Sequence, residues 1–337
     1  MRFRPLLAAL LLVACDHAGA PQPPPTLAAQ LCNWQEFPGN PLIQPPDGET
    51  LIGDPTVLAP SETPDGQWHL FANSLAGIHA YDSADGLSWQ PLGLTLFGLG
   101  AIRPFVLRDG GLYHLFFEQY DSATHSTIQH VTSADLATWS TPTTALEPAL
   151  PWEQEALATV GNPYVTLRRD GWWLYYSAST VHLDDAGFDE PRYIGVARAA
   201  TLAGPWQKQP QPISGPNPQV AWRNLGAGSM KLLDDELGGQ RIALQNGIYL
   251  DAAGHSRSAI AVLASPDGVV WTEVCPAPVL APHGTGWEAA LVYAFDTART
   301  GDTLRLYFNA RDGWVDGVER IGLAQLSLPV TATDRNP

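Results

Sequence analysis

The stretch Ser83-Ala-Asp-Gly-Leu-Ser-Trp89 indicates the type of fold, because similar stretches recur along the chain. The related copies are Ser133-Ala-Asp-Leu-Ala-Thr-Trp139, Ala200-Thr-Leu-Ala-Gly-Pro-Trp206 and Ser265-Pro-Asp-Gly-Val-Val-Trp271. Asp and Gly favour tight turns, and Trp supplies a large apolar anchor at the start of the next strand. Each copy lies between two runs typical of β-strands, so the pattern predicts a repeat protein.

Three strand-like runs lie in each repeat, and in the first repeat they begin at Asp54, Trp68 and Gly77. The short first strand of each repeat is followed by an aromatic strand and then by an alternating strand. These first strands begin at Asp54, Arg103, Asn162, Gly228 and Glu288, at intervals of 49, 59, 66 and 60 residues. Five units of about four strands predict an all-β fold, a five-bladed β-propeller.

Composition agrees with a single β-rich domain and excludes several classes of protein. The 337 residues carry 18 Lys+Arg and 34 Asp+Glu, which gives a formal net charge of −16. This acidic balance argues against a nucleic-acid partner, because phosphate binding needs clustered basic residues. The 31 Gly and 30 Pro suit many short strands and tight turns, and they argue against all-α and coiled-coil folds.

The first residues are predicted to direct export rather than to fold. Arg2 and Arg4 precede an apolar run too short to span a bilayer. The run ends in Leu-Val-Ala-Cys15, which resembles a bacterial lipoprotein signal with Cys15 as the acylated residue. The alternative is an ordinary signal peptide with an incidental cysteine. We predict a signal peptide at 1–14, a linker at 15–30, the propeller at 31–330 and a tail at 331–337, with the chain lipid-anchored in the bacterial cell envelope.

The N-terminal segment Trp34–Ile43 parallels the segment Trp271–Leu280. Because the fifth repeat has three strands before the chain ends, we predict that Trp34–Ile43 supplies its fourth strand and closes the ring. Cys32 lies just before this segment, and Cys275 lies in the similar one. In an exported, oxidising setting these two cysteines are predicted to form a disulfide.

The centre of the ring is predicted to be polar. In a propeller the innermost strands begin near the central channel, so their first residues should face one another there. These residues are Asp54, Arg103, Asn162, Gly228 with Ser229, and Glu288. Polar groups are costly to bury without partners, which favours a solvated ligand pocket. The alternative is a structural network of hydrogen bonds and ion pairs that fills the channel.

The five repeats, the Gly53-Asp54-Pro55 start and the Trp turns resemble the five-bladed propeller glycoside hydrolases, chiefly family 43 with its arabinanase and xylosidase relatives. The resemblance covers residues 34–328. It implies a general base on blade one, an acidity-tuning carboxylate on blade two and a general acid on blade three. Asp54 matches the first position, whereas the other two are Arg103 and Asn162, which cannot replace carboxylates.

Glycoside hydrolysis usually needs two carboxyl groups, one protonated and one ionised. We therefore predict Asp54 as the base and Glu288, on the neighbouring fifth blade, as the acid. Other carboxylates compete for the acid role; they are Glu118, Glu155 and those of an acidic loop at 182–191. That loop is compatible with calcium but lacks the spacing of a known calcium loop, so no metal or other cofactor is predicted.

Further side chains are predicted to bind a carbohydrate substrate in the same pocket, because aromatic faces stack on sugar rings and polar groups orient them. They are Arg103, Asn162, Ser229, Trp287, Arg311 and Trp314. The predicted function is a monomeric, exported glycoside hydrolase. Two alternatives stay open: a non-catalytic glycan-binding lipoprotein, and a phosphorylase similar to glycoside hydrolase family 130 with Arg103 as the phosphate ligand.

Overall fold

The computed structural model describes residues 26–328. They form five four-stranded antiparallel sheets arranged as a five-bladed β-propeller, as predicted. The predicted signal peptide, Cys15 and the tail at 331–337 lie outside the described residues. Within residues 26–328, no helix has the length and apolar character needed to cross a membrane.

The strands follow one another in a simple order, because each blade is built from consecutive strands. One helix precedes them, and three 3₁₀ helices lie in connections, at Pro151–Gln154, Ala221–Arg223 and Gly286–Glu288. The elements are α1 (Leu27–Leu31), β1 (Gln35–Glu36), β2 (Gly53–Leu58), β3 (Trp68–Ser74), β4 (Gly77–Ser83), β5 (Gln90–Leu96), β6 (Ala101–Asp109), β7 (Leu112–Ser122), β8 (His125–Ser133), β9 (Thr143–Leu146), β10 (Val160–Arg168), β11 (Gly171–Leu183), β12 (Phe188–Ala199), β13 (Gln207–Lys208), β14 (Gly226–Leu237), β15 (Gln240–Leu250), β16 (Ser256–Ser265), β17 (Thr272–Glu273), β18 (Leu291–Thr300), β19 (Thr303–Arg311) and β20 (Glu319–Ser327).

The repeated turn is held by its own side chains. The Ser83 hydroxyl oxygen accepts a hydrogen bond from the Gly86 N–H at 2.9 Å, and Asp85 Oδ1 accepts from the Leu87 and Ser88 N–H groups at 2.8 Å. The same bonds recur in the turns that begin at Ser133 and Ser265. Short polar side chains that bond to nearby backbone in this way stabilise turns.

Each turn Trp packs edge-on against an aromatic ring in the second strand of the preceding blade. The ring centroids lie 5.7–6.5 Å apart, within the range of favourable aromatic pairs. The pairs are Trp89 with Tyr307, Trp139 with Phe71, Trp206 with Phe116, and Trp271 with Tyr175. Trp34 is buried in one apolar cluster with Leu244 of the fourth blade. The repeated Trp therefore forms contacts between blades around the ring.

The outermost strand of the fifth sheet is β1, which pairs antiparallel with β20. Its two paired residues are supported by the Asn40 side chain, which donates to the Leu323 carbonyl at 3.0 Å and accepts from the Leu323 N–H at 2.9 Å. Helix α1 begins in the segment predicted as a linker at 15–30 and ends at Leu31, which is fully buried. Folded structure therefore begins a few residues before the boundary predicted at 31.

The predicted disulfide between Cys32 and Cys275 is confirmed. It connects the start of the N-terminal segment to the fourth blade across a sequence separation of 243 residues. A crosslink that closes so long a loop lowers the entropy of the unfolded chain. The disulfide thus favours the folded state by restricting the unfolded state.

We expect the double variant Cys32→Ser/Cys275→Ser to lose about 3–5 kcal/mol of unfolding free energy, because the unfolded chain regains that entropy. Urea unfolding followed by tryptophan fluorescence measures the loss. Reduction of the wild-type chain should give a similar loss and should leave the double variant unchanged. Equal stability of the oxidised and reduced wild-type chains would contradict the prediction.

Candidate functional site

A two-residue bulge interrupts the innermost strand of every blade at the same level. In the first blade, Gly53 pairs with Asn73 and Thr56 with Phe71, so two residues lie opposite Ala72 alone. The five bulges are Asp54-Pro55, Arg103-Pro104, Asn162-Pro163, Gly228-Ser229 and Tyr293-Ala294. Proline suits a bulge because it has no N–H to offer the sheet. The bulges turn five sets of side chains towards one end of the channel.

At that end lies a pocket of about 250 Å³. Five of the predicted site residues line it together: Asp54, Arg103, Asn162, Ser229 and Arg311. The first three have φ of 52°, 54° and 46°, a left-handed conformation that is uncommon outside glycine. Such backbone is often found at functional sites, where the surrounding structure compensates for its cost.

Glu288 does not line this pocket, so the expected pairing with Asp54 is wrong in its geometry. The bulge of the fifth blade is Tyr293-Ala294, five residues further along the chain than the sequence pattern suggested. Glu288 instead ends a 3₁₀ helix, and its Oε1 lies 3.4 Å from His283 Nδ1. The other nitrogen of His283 lies 3.4 Å from Glu36 Oε1. Burial, followed by the neighbouring Glu36 carboxyl, raises the pKa of Glu288.

The two predicted aromatic ligands also lie outside the pocket lining. Trp287 packs on Phe308 with ring centroids 5.4 Å apart and covers Gly322 of β20. Trp314 donates its indole N–H to the Ser256 carbonyl at 2.9 Å and stacks near His255. Both tryptophans therefore anchor loops. The aromatic side chains that do line the pocket are Phe188 and Tyr293.

Asp54 is held at the pocket floor by its neighbours. Its N–H donates to Asn309 Oδ1 at 3.1 Å. Burial raises the pKa of its carboxyl, whereas the Arg103 guanidinium opposes that rise. Because Arg103 favours the ionised form of Asp54, the pair suits a carboxylate that accepts a proton.

Arg103 is fixed by a buried carboxylate that the sequence offered as a competing acid. Arg103 Nη1 lies 2.8 Å from Oε2 of Glu118, which is fully buried, and Ser126 donates to the other oxygen at 2.7 Å. Gly161 of the next blade lies so close to this carboxylate that it has no room for a side chain. Glu118 is therefore a positioning residue for Arg103. Because it is fully buried against Gly161, its carboxylate has no room to contact a ligand.

Glu319 is a pocket carboxylate that the sequence did not reveal. It begins β20, accepts a hydrogen bond from the Asn309 side chain and lies 3.8 Å from Arg311. A methyl group on Gly53 would lie 2.5 Å from Glu319 Oε1, so only glycine fits beside it. Burial, and next the charge of Asp54, raises the pKa of Glu319 to about 8.

Glu190 is one of the competing acids of the loop predicted at 182–191, but it lies in a strand. Residues 182 and 183 end β11, residues 188–191 belong to β12, and Glu190 pairs with Val181. The long hairpin carries Phe188, Asp189 and Glu190 to the pocket. Burial raises the pKa of Glu190 to about 7, opposed by Arg103 and reinforced by Asp54. Glu155, the other predicted competitor, is exposed beside Arg192 and does not line the pocket.

Two polar atoms in the pocket have no hydrogen-bond partner in the described part of the chain. They are the hydroxyl groups of Ser229 and Tyr293, both buried. Burial raises the pKa of Tyr293, and the charge of Glu319 reinforces the rise, so this phenol stays protonated. A buried hydroxyl without a partner is costly, and a bound polar ligand would satisfy it.

Below the pocket the channel is nearly closed. It narrows to a cavity of about 10 Å³, room for about one water molecule. Proline residues 55, 104 and 163 surround this constriction with Lys231. Lys231 is buried, and its Nζ lies 3.4 Å from Asp296 Oδ1. A ligand therefore enters and leaves the pocket by the same face.

Sequence comparison identifies no relative: no family profile and no curated protein matches the chain. Solved structures share the fold. A thermostable family-43 glycoside hydrolase has a TM-score of 0.61 at 14% identity and covers 84% of this chain and 91% of its own. An N-acetylgalactosamine deacetylase from F. plautii gives 0.63 at 15%, with 87% and 95% covered. A β-1,2-mannobiose phosphorylase from Listeria innocua gives 0.59 at 15%, with 87% and 96% covered. At such low identity the similarity shows the five-bladed fold alone.

The raised pKa of Glu319 makes a prediction about stability. A carboxyl whose pKa rises from 4.5 to about 8 on folding favours the fold when protonated, and this contribution is lost as pH rises towards 8. We expect Glu319→Gln to reduce the fall in unfolding free energy between pH 5 and 9 by about 1–3 kcal/mol. Urea unfolding at several pH values between 5 and 9 measures this change in unfolding free energy. The exposed control Glu155→Gln should keep the wild-type slope, and a wild-type slope in Glu319→Gln would refute the assignment.

Proposed function

We propose that this protein hydrolyses a glycosidic bond at a terminal sugar residue. The observation that carries the proposal is the convergence of Asp54, Glu190 and Glu319 in one closed-ended pocket. Their pKa values are all raised by burial, and those of Glu190 and Glu319 reach about 7 and about 8. Hydrolysis of a glycoside needs one ionised and one protonated carboxyl group, and this environment supports both forms near neutral pH.

The three carboxyl groups differ in their neighbours, which suggests a division of roles. Asp54 is next to Arg103 and is proposed as the base that activates water. Glu190 is half-buried on the hairpin that reaches the pocket, so its proton is accessible to a leaving-group oxygen. We assign it the role of general acid in place of Glu288. Glu319 is buried, accepts a hydrogen bond from the Asn309 side chain and has a pKa raised to about 8, so it stays protonated near neutral pH and is not assigned a proton-transfer role.

Pocket size and lining favour a small carbohydrate. The volume of about 250 Å³ is slightly below that of pockets for drug-sized ligands, about 300–1,000 Å³. Phe188 and Tyr293 contribute aromatic side chains to the pocket lining, and Asn73, Asn162 and Asn246 contribute amides. Apolar faces combined with a few polar groups suit a sugar ring, and the closed floor favours attack at a chain end.

We expect Asp54→Asn and Glu190→Gln each to lower kcat by about 10²–10⁴-fold, because each removes one proton-transfer group. The assay is release of free sugar from a panel of oligosaccharides and aryl glycosides. Activity of the wild-type chain should fall as pH rises through about 7, where Glu190 loses its proton. This fall should disappear in Glu190→Gln.

The control for this experiment is Glu155→Gln, which changes an exposed carboxylate outside the pocket lining and should keep full activity. Full activity in both Asp54→Asn and Glu190→Gln would overturn the assignment. Binding of a glycan without release of sugar would indicate the non-catalytic alternative. Product formation that requires inorganic phosphate and yields a sugar phosphate would indicate the phosphorylase.

We also propose that the chain is exported and lipid-anchored through Cys15. The proposal is supported by the signal-like sequence before Cys15 and by the Cys32–Cys275 disulfide, which suits an oxidising compartment. We expect palmitate fed to expressing bacteria to label the wild-type protein and not Cys15→Ser. The double variant Cys32→Ser/Cys275→Ser should still be labelled, since its Cys15 is intact. Equal labelling of Cys15→Ser would contradict the anchor.

A further inference from the structure

Glu36, His283 and Glu288 form a cluster outside the pocket, where the N-terminal strand meets the connection into the fifth blade. Glu36 belongs to β1, whereas His283 and Glu288 belong to the segment before β18. One possible ligand atom from each side chain lies within 4.8 Å of the other two. Among residues 26–328 this is the one group of three His, Cys, Asp or Glu side chains with such spacing.

The two carboxylates of this cluster have too few neighbouring cations and hydrogen-bond donors to balance two negative charges. The Glu288 side chain is only 7% exposed, yet its Oε2 is buried without a hydrogen-bond partner. Its nearest charged neighbours are Glu36, of the same sign, and His283, a weak base. A buried, unpaired carboxylate oxygen next to a second carboxylate requires a proton or a cation.

The geometry points to a zinc site formed by Glu36, His283 and Glu288. Zinc binds imidazole nitrogen and carboxylate oxygen at about 2.0–2.2 Å. Tetrahedral ligands at that distance lie about 3.3 Å apart. In this structure His283 contacts the two carboxylates through different nitrogens, each at 3.4 Å, and one ligand atom from each of the three side chains lies within 4.8 Å of the others, so a small rotation of the side chains brings them to that spacing. His283 is 59% exposed, so its ring can turn to present one nitrogen and leaves room for water as the fourth ligand.

The chemistry of the donors distinguishes zinc from other common cations. Calcium and magnesium favour sets of oxygen ligands, whereas imidazole favours zinc and its neighbours among the transition metals. Two glutamates also balance the charge of one divalent ion. Because the ligands come from β1 and from the segment before β18, the metal would fasten the N-terminal strand to the fifth blade. The strand β1 has only two paired residues, so a further tether stabilises it.

The test is a titration of the purified chain with ZnCl₂, after removal of any histidine tag and treatment with EDTA. Isothermal titration calorimetry should show one zinc ion per chain. Glu288→Gln and His283→Gln should each weaken binding at least tenfold. Zinc should raise the thermal midpoint of the wild-type chain, since binding to the folded state stabilises it, and should not raise those of the variants.

The matched control is His125→Gln, which changes an exposed histidine paired with a single carboxylate, Asp121. This variant should bind zinc like the wild type. Glu36→Gln provides a second test at a less buried ligand if Glu288→Gln does not fold. Absence of stoichiometric zinc binding, or equal binding by the wild type and all cluster variants, would overturn the site.

Discussion

The edge-on contact between a turn Trp and an aromatic ring of the preceding blade is the interaction on which the ring depends. A single blade has two apolar faces and cannot bury both alone. Each Trp extends the core of its own blade into the next one, as Trp89 does with Tyr307 across the junction of the first and fifth blades. Four such contacts with nearly constant centroid distances set a regular angle between blades.

Regular spacing of the blades has a chemical consequence at the channel. Because all five inner strands are bulged at one level, their bulge residues meet on one ring. Three of these positions combine a polar side chain with a left-handed backbone, at Asp54, Arg103 and Asn162. The Lys231–Asp296 pair and three prolines close the channel below them. Packing between blades thus brings the bulge residues of the five repeats together around a pocket that is open at one end.

The sequence predicted those parts of the molecule that depend on local or periodic patterns. The Ser-x-Asp turns, the number of blades and the pocket positions of Asp54, Arg103 and Asn162 follow from short motifs that recur. The sequence pattern places Glu288 at the fifth bulge because Glu288-Ala-Ala-Leu-Val resembles the start of a strand. The actual bulge, Tyr293-Ala294, lacks the proline that marks the bulges of the first three blades. The true counterpart of Glu288, Tyr293, carries no motif.

The positions of Glu190 and Glu319 in the pocket do not follow from the repeat pattern. Both residues lie at or near the start of the third strand of a blade, not at a bulge of the innermost strand. Glu190 reaches the pocket because the β11–β12 hairpin is longer than its counterparts, and Glu319 because Gly53 leaves it room. Both conditions depend on contacts between residues far apart in sequence. A periodic pattern does not contain this information, whereas the acidic segment around Glu190 is visible in the sequence and was included among the competitors for the acid role.

The charges around the pocket favour water over phosphate as the attacking group. Each cation near the pocket already has an acidic partner: Arg103 has Glu118, Arg311 has Glu319, and Lys231 has Asp296. Arg311 also donates to the carbonyl groups of Gly313 and Trp314. An incoming phosphate would have to displace these partners and would face the charge of Asp54. Water meets no such barrier, and the carboxylate that repels an anion is the one proposed to take a proton from water.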